Sequence, residues 1–180
     1  MQPALALLEF ASIAIGIRAG DAMAKRVPLE TLALGTVQPG RFLIAAGGEV
    51  AHVEEAWASG CEVGREAGRE VGREVGADAL LGEIFLPDVH PAIVAALAAP
   101  TRGFEGDALG VLETSTVAAT LHASDRALKT TAVALEEFRL ADGLGGKGYA
   151  LFSGDVGEVQ AAVEIAADSV RAEELVQRIV

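Results

Sequence analysis

Ala4-Leu-Ala-Leu-Leu-Glu9 returns as Ala108-Leu-Gly-Val-Leu-Glu113, and that return decides how the chain is organised. The offset of 104 holds for about twenty residues, pairing Ala14 with Ala118, Ala19 with Ala123, Asp21 with Asp125 and Lys25 with Lys129. It then slips by two, so that Gly48-Glu-Val-Ala-His-Val53 answers to Gly154-Asp-Val-Gly-Glu-Val159. A chance match would not keep one register through strand-like and helix-like segments, so the chain is a tandem duplication. The first domain is read as residues 1–100 and the second as 108–180. Thr101-Arg-Gly-Phe-Glu-Gly-Asp107, with its charges and glycines, is the linker.

Both copies carry one coarse pattern. Leu5–Glu9 and Leu109–Glu113 are apolar runs of strand length. Ser12–Arg26 and Thr116–Thr130 follow with near-helical apolar spacing, Ser12 and Thr116 standing where an N-cap belongs. A lysine near each helix end suits the negative end of the helix dipole. A strand, a Gly-rich turn and a second strand come next, Arg41–Ala46 or Gly148–Phe152. A second helix opens at Glu49 or Asp155, and the last strands are Leu80–Leu86 and Leu175–Val180. The order is βαββαβ, a ferredoxin-like α+β arrangement with both helices on one face of an antiparallel-rich sheet. Pro87-Asp-Val-His-Pro-Ala-Ile-Val-Ala-Ala-Leu97 has no counterpart in the second copy.

Composition narrows the function classes. Of 180 residues, 51% are apolar and 22% charged, with 21 glycines besides. Such a chain can bury enough surface to fold, which excludes disorder. No uncharged stretch approaches the roughly 18 residues of a membrane span, and no positive residue precedes Arg18, against a signal peptide. Fourteen basic against 26 acidic residues give a net charge of −12, which repels a phosphate backbone, so no nucleic-acid partner is expected. One cysteine makes neither an internal disulfide nor a thiolate cluster, as expected in the cytoplasm. The apolar excess points to burial between subunits.

The ordered set of motifs, present twice, resembles the bacterial microcompartment shell proteins of the tandem-domain, trimeric class. The carriers are Leu-Leu-Glu9 and Val-Leu-Glu113, Gly20-Asp-Ala-Met-Ala-Lys25 and Ser124-Asp-Arg-Ala-Leu-Lys129. Gly47-Gly-Glu-Val, Ser153-Gly-Asp-Val-Gly157 and Leu86-Pro-Asp-Val-His-Pro91 complete them, in the unpermuted element order. Thr36-Val-Gln-Pro-Gly-Arg-Phe42 and Gly143-Leu-Gly-Gly-Lys-Gly-Tyr149 are most similar to the propanediol-utilisation type. The resemblance implies a structural, non-enzymatic tile of the microcompartment shell in the cytoplasm. It would be a homotrimer with pseudo-sixfold symmetry, meeting other shell hexamers and pentamers. A trimeric small-molecule-binding regulatory module on the same topology is the competing reading.

The resemblance also places residues. The turn before the third strand would line an axial pore for small metabolites or cofactors, with Thr36, Val37, Gln38, Pro39 and Gly40 from one copy. Asp142, Gly143, Leu144, Gly145 and Gly146 come from the other. Glycine-rich turns let backbones approach an axis closely; an ordinary hairpin turn fits the local sequence as well. Some relatives carry a cysteine in the first turn and bind an iron–sulfur cluster, whereas Gln38 here offers no thiolate, so no metal and no cofactor are expected. Lys25 and Lys129 match the lysine at the tile edge, and a solvated lysine at a helix end fits equally.

Residues 60–76 depart from the family. Gly recurs at 60, 64, 68, 72 and 76 around Glu-Val and Arg-Glu steps, extending the second helix of the first copy. A four-residue step drifts only 40°, so the glycines form a stripe, and Glu62–Arg65 and Glu66–Arg69 are spaced for i,i+3 pairs. Close packing on a partner helix and a frayed surface expansion are both compatible; the former would serve trimer stacking or cargo docking. Cys61, on the face of Trp57, reads as a buried thiol. His52, His90 and His122 have no metal-ligand spacing, and Gly143–Gly148 lacks the Lys-Ser/Thr ending of a phosphate loop.

Overall fold

A computed structural model of the protein describes residues 4–70, 79–98 and 106–180. The chain divides into two compact units, Met1–Asp88 and Val89–Val180. The first runs β1 (Ala4–Phe10), α1 (Ile13–Arg26), β2 (Thr31–Val37), β3 (Arg41–Gly48), α2 (Val50–Glu70) and β4 (Leu80–Leu86). The second opens with α3 (Pro91–Ala98) and repeats the series as β5 (Ala108–Thr114), α4 (Val117–Thr130), β6 (Ala134–Leu140), β7 (Gly148–Gly154), α5 (Val156–Asp168) and β8 (Leu175–Ile179). The expected βαββαβ order holds in both. The sheets are antiparallel throughout, ordered β2-β3-β1-β4 and β6-β7-β5-β8.

Alternation along the strands builds the core. Ala4, Ala6, Leu8 and Phe10 of β1 and Phe42, Ile44 and Ala46 of β3 are buried in one cluster with Ala19 and Met23 of α1 and Val53 and Ala56 of α2. Each large aliphatic or aromatic side chain fully removed from water contributes roughly 1.5–3 kcal/mol, so Leu8, Phe10, Met23 and Ile44 anchor the unit. In the second unit Leu112, Phe152 and Val159 are fully buried. The helix starts follow the sequence: Ser12 Oγ accepts from the Ile15 amide at 3.4 Å and Thr116 Oγ1 from the Ala119 amide at 3.2 Å. Asp155 occupies the N-cap of α5 without a side-chain bond to it.

Two differences from the sequence reading stand out. Helix α3, read as the end of the first domain at residue 100, packs on α4 and β6 and so belongs to the second unit. Apolar Val89 and Ile93 are buried there, and the backbone N–H of His90 donates to Asp125 Oδ1 at 2.8 Å. The second concerns the glycine stripe of α2. Gly60 packs against Leu8 of β1 and Met23 of α1, and Gly64 against Phe10 and Leu80, so these two glycines let the helix settle on its own unit. Arg65 reaches Glu83 of β4 at 2.8 Å rather than Glu62. Cys61 is buried, with burial and the neighbouring Glu83 pushing its thiol pKa up, as suits an inert core residue. The later glycines, Arg73 and most of the linker 101–107 lie outside the described residues, as do the side chains of 68–70.

Candidate functional site

Strand pairing fixes where the two copies fall out of step. Val37 lies opposite Arg41, and its counterpart Ala141 donates its amide to Lys147 O at 2.8 Å. Those positions are offset by 104 and 106, so the two-residue slip sits entirely between them, in the turns. Gln38-Pro39-Gly40 closes the first hairpin, and Asp142-Gly143-Leu144-Gly145-Gly146 the second. The candidate pore turns therefore carry a two-residue change in length between the duplicated copies.

The first turn is tight. Gly40 donates its amide to Val37 O at 3.0 Å across a cis Gln38–Pro39 bond, and Gly40 has φ +85, a left-handed conformation that favours glycine. The second is broader, and Ala141, Gly143, Gly145 and Gly146 all have positive φ. Leu144 donates its amide to Ala141 O at 3.0 Å, which folds the five residues back on the strand ends. Thr36, Gln38, Pro39 and Gly40 are exposed, as are Asp142, Gly143 and Gly145; Val37 and Leu144 are half-buried and Gly146 is buried. The exposed chemistry is thus an amide, a hydroxyl and a carboxylate. Among the described residues no group of histidine, cysteine or acidic side chains is arranged to hold a metal ion. Gln38 supplies no thiolate and Cys61 is buried on α2, so the turn does not fit an iron–sulfur cluster.

Beneath each turn lies an ion pair that the sequence reading did not identify. Arg41 Nη1 meets Glu9 Oε1 at 2.5 Å, and Lys147 Nζ meets Glu113 Oε1 at 2.7 Å. Arg41 opens β3 and Lys147 immediately precedes β7, and each is tied to the next-to-last residue of β1 or β5. The environments differ: Glu9 is fully buried, whereas Glu113 and Lys147 are 32% and 47% exposed. The signal was available, since Glu9 and Glu113 close the founding repeat and a cation follows each turn. Nearby, Tyr149 donates to Glu137 Oε1 at 2.7 Å, and burial together with that carboxylate raises the phenol pKa.

The lysines sit elsewhere, in the last turns of α1 and α4. Lys25 Nζ bonds Asp21 Oδ2 and Lys129 Nζ bonds Asp125 Oδ2, both at 2.6 Å, but the first pair is exposed and the second largely covered. His52 lies 3.6 Å from Glu49, and His90 Nδ1 accepts from the Ala92 amide at 3.3 Å, which are local structural roles.

Comparison with known proteins agrees with the duplication. The BMC domain model matches residues 4–78 and 108–180. Bacterial microcompartment shell protein PduT of Citrobacter freundii is 36% identical over 169 residues, covering 94% of this chain and 85% of that relative. A microcompartment protein from Desulfitobacterium hafniense DCB superposes with a TM-score of 0.78 at 32% identity, over 99% of this chain and 93% of that one. A fused permuted hexameric shell protein of the RMM microcompartment shares the fold at a TM-score of 0.59 and 21% identity, over 93% and 83% of the two chains. With the domain found in both halves and the likeness running nearly end to end, the chain belongs to the BMC-domain family, as a tandem-domain bacterial microcompartment shell protein.

Proposed function

We propose that three copies of this chain assemble into a pseudohexameric tile whose axis is ringed by turns 36–40 and 142–146, giving a pore for small polar metabolites. The role is structural, in a microcompartment shell in the cytoplasm. The observation that carries the pore reading is the pair of equivalent hairpins, each exposed at its tip and each braced at its base by an acid–base pair. Bracing holds a short turn in place while its tip stays open to solvent. Three Gln38 amides would offer neutral donors and acceptors, and three Asp142 carboxylates would add negative charge, a rim suited to polar solutes. Lys25 and Lys129 would face neighbouring tiles, among them hexamers and pentamers of other shell proteins in the same compartment.

Sedimentation and negative-stain microscopy of concentrated protein test this together. A species of three times 18.4 kDa that forms hexagonal sheets or tubes is expected. Discrete trimers that never associate laterally, yet show ligand-induced thermal shifts, would instead support a metabolite-binding module. Visible iron–sulfur absorbance in the purified protein would overturn the reading of Gln38.

A further inference from the structure

The ionised side chains at the bases of the two hairpin turns stand in pairs of opposite sign, and one at a tip stands alone. Thr36-Val37-Gln38-Pro39-Gly40 carries no charge, and Arg41 behind it meets Glu9. Behind the second turn Lys147 meets Glu113 at 2.7 Å. Asp142 is exposed, and its carboxylate has no hydrogen-bond or ion-pair partner among the described residues.

Two features of the second turn could have cancelled that charge, and neither does. Arg139 is the nearest cation in the hairpin, but its Nη2 lies 3.5 Å from the Asp142 peptide oxygen rather than on the carboxylate. The same guanidinium meets the Tyr149 hydroxyl, which donates to Glu137 Oε1 at 2.7 Å, so Arg139 and Glu137 offset one another around one phenol. This polar set is peculiar to the second unit, because the register places Ala33, Gly35 and Leu43 at the positions of Glu137, Arg139 and Tyr149. The other feature is the run of positive φ at Ala141, Gly143, Gly145 and Gly146, a backbone form that can turn successive amides toward an anion. Here the amide of Asp142 donates to Leu140 O at 2.6 Å, and those of Leu144 and Gly146 donate to Ala141 O at 3.0 and 3.4 Å. Those amides are engaged within the hairpin and are not available to an anion.

We propose that Asp142 sets the charge selectivity of the pore, which passes neutral polar solutes and small cations and turns back anionic ones. The proposal rests on the pore reading above and adds the class of solute. Three Asp142 carboxylates around one axis repel an approaching phosphate or carboxylate, and a chain of net charge −12 does nothing to offset them. Rings of acidic side chains select cations in pores for the same reason. Small neutral molecules bearing hydroxyl or amide groups pass, exchanging hydration for hydrogen bonds to Gln38. Phosphorylated and carboxylated compounds stay on the side where they are made.

The full-length protein in a planar lipid bilayer under a potassium chloride gradient tests this, with the permeability ratio of potassium to chloride read from the reversal potential. The parent is expected to give a ratio above one. Asp142→Asn should bring it close to one, Asp142→Lys below one, and Asp142→Glu, which keeps the charge, should hold it above one. Because Asp142 is exposed, all three variants should keep the parent's sedimentation and thermal midpoint. A conducting parent with a ratio at or below one, or an Asp142→Asn variant with the parent's ratio, would overturn the proposal and leave the pore reading standing. A parent that opens no conductance would remove both.

Discussion

At the scale of single residues, the duplicated copies have exchanged bulk without losing fit. In the first unit Phe42 of β3 lies over Gly16 of α1, where a Cβ would collide with the ring. At the equivalent positions of the second unit the glycine is on the strand, Gly148, and the larger residue on the helix, Thr120. Thr120 then spends its hydroxyl on Thr114 Oγ1, at 2.7 Å, and on Thr116 O, at 3.0 Å. Gly148→Ala drives a methyl into that hydroxyl, and overpacking of this kind costs about 1–3 kcal/mol. Urea unfolding at fixed protein concentration should show the loss, with much of it recovered in Gly148→Ala/Thr120→Ala; two additive losses would refute the pairing. The ion pairs below the turns make a second contrast. Glu9→Ala removes the fully buried carboxylate from beside the partly exposed Arg41 and should fall toward the lower end of the roughly 3–5 kcal/mol seen when one partner of a buried pair is removed. Glu113→Ala breaks a half-exposed pair and should cost no more than about 1 kcal/mol. Equal losses would mean that burial does not separate the two.

At the scale of elements, the features that were legible in the sequence share one cause: they depend on near neighbours. Strand alternation, the Ser12 and Thr116 caps and the element order come from local spacing, and each lies where that spacing puts it. What was not legible depends on partners far along the chain. Arg65 had Glu62 at helical distance but finds Glu83, 18 residues on, because β4 runs beside α2. Helix α3 is an apolar run whose sequence does not say which unit it covers. The β8 turn has the same character. Glu174 accepts two bonds from Arg171, at 3.0 and 2.9 Å, and one from the Thr116 hydroxyl at 3.3 Å, joining the approach to β8 to the start of α4. Those bonds from Arg171 hold its carboxyl below the ordinary value, against the opposing effect of burial. A depressed folded-state pKa contributes stability that is present above the unfolded value of about 4.3 and is lost as pH falls through the folded one. Glu174→Gln should therefore be less stable than the parent at neutral pH, with the gap in thermal midpoint narrowing under acid. A gap independent of pH would show that the carboxylate charge contributes nothing.

At the scale of the whole molecule, a duplicated chain would give a tile alternating rather than identical edges, and the two lysines proposed for that edge show how far the copies have diverged. Side chains of Lys25 and Asp21 are 75% and 57% exposed, whereas Lys129 and Asp125 are 34% and 8% exposed. Asp125 is further engaged by the His90 amide, so Lys129 is bonded to a carboxylate fixed within its own unit, while Lys25 is bonded to an exposed one. A lysine that meets a neighbouring tile has to reach outward, which favours Lys25 for the lateral contact. Lys25→Asp and Lys129→Asp alter net charge equally, so the −12 background cannot separate them. Lys25→Asp should leave the oligomer mass intact and sharply reduce hexagonal sheets by negative stain. Lys129→Asp sets a second carboxylate beside the buried Asp125 and should act first on the unit itself, lowering its thermal midpoint. Sheets that form normally from both variants would remove the lysines from the tile edge, and equal loss of sheets with equal midpoints would remove the asymmetry between them.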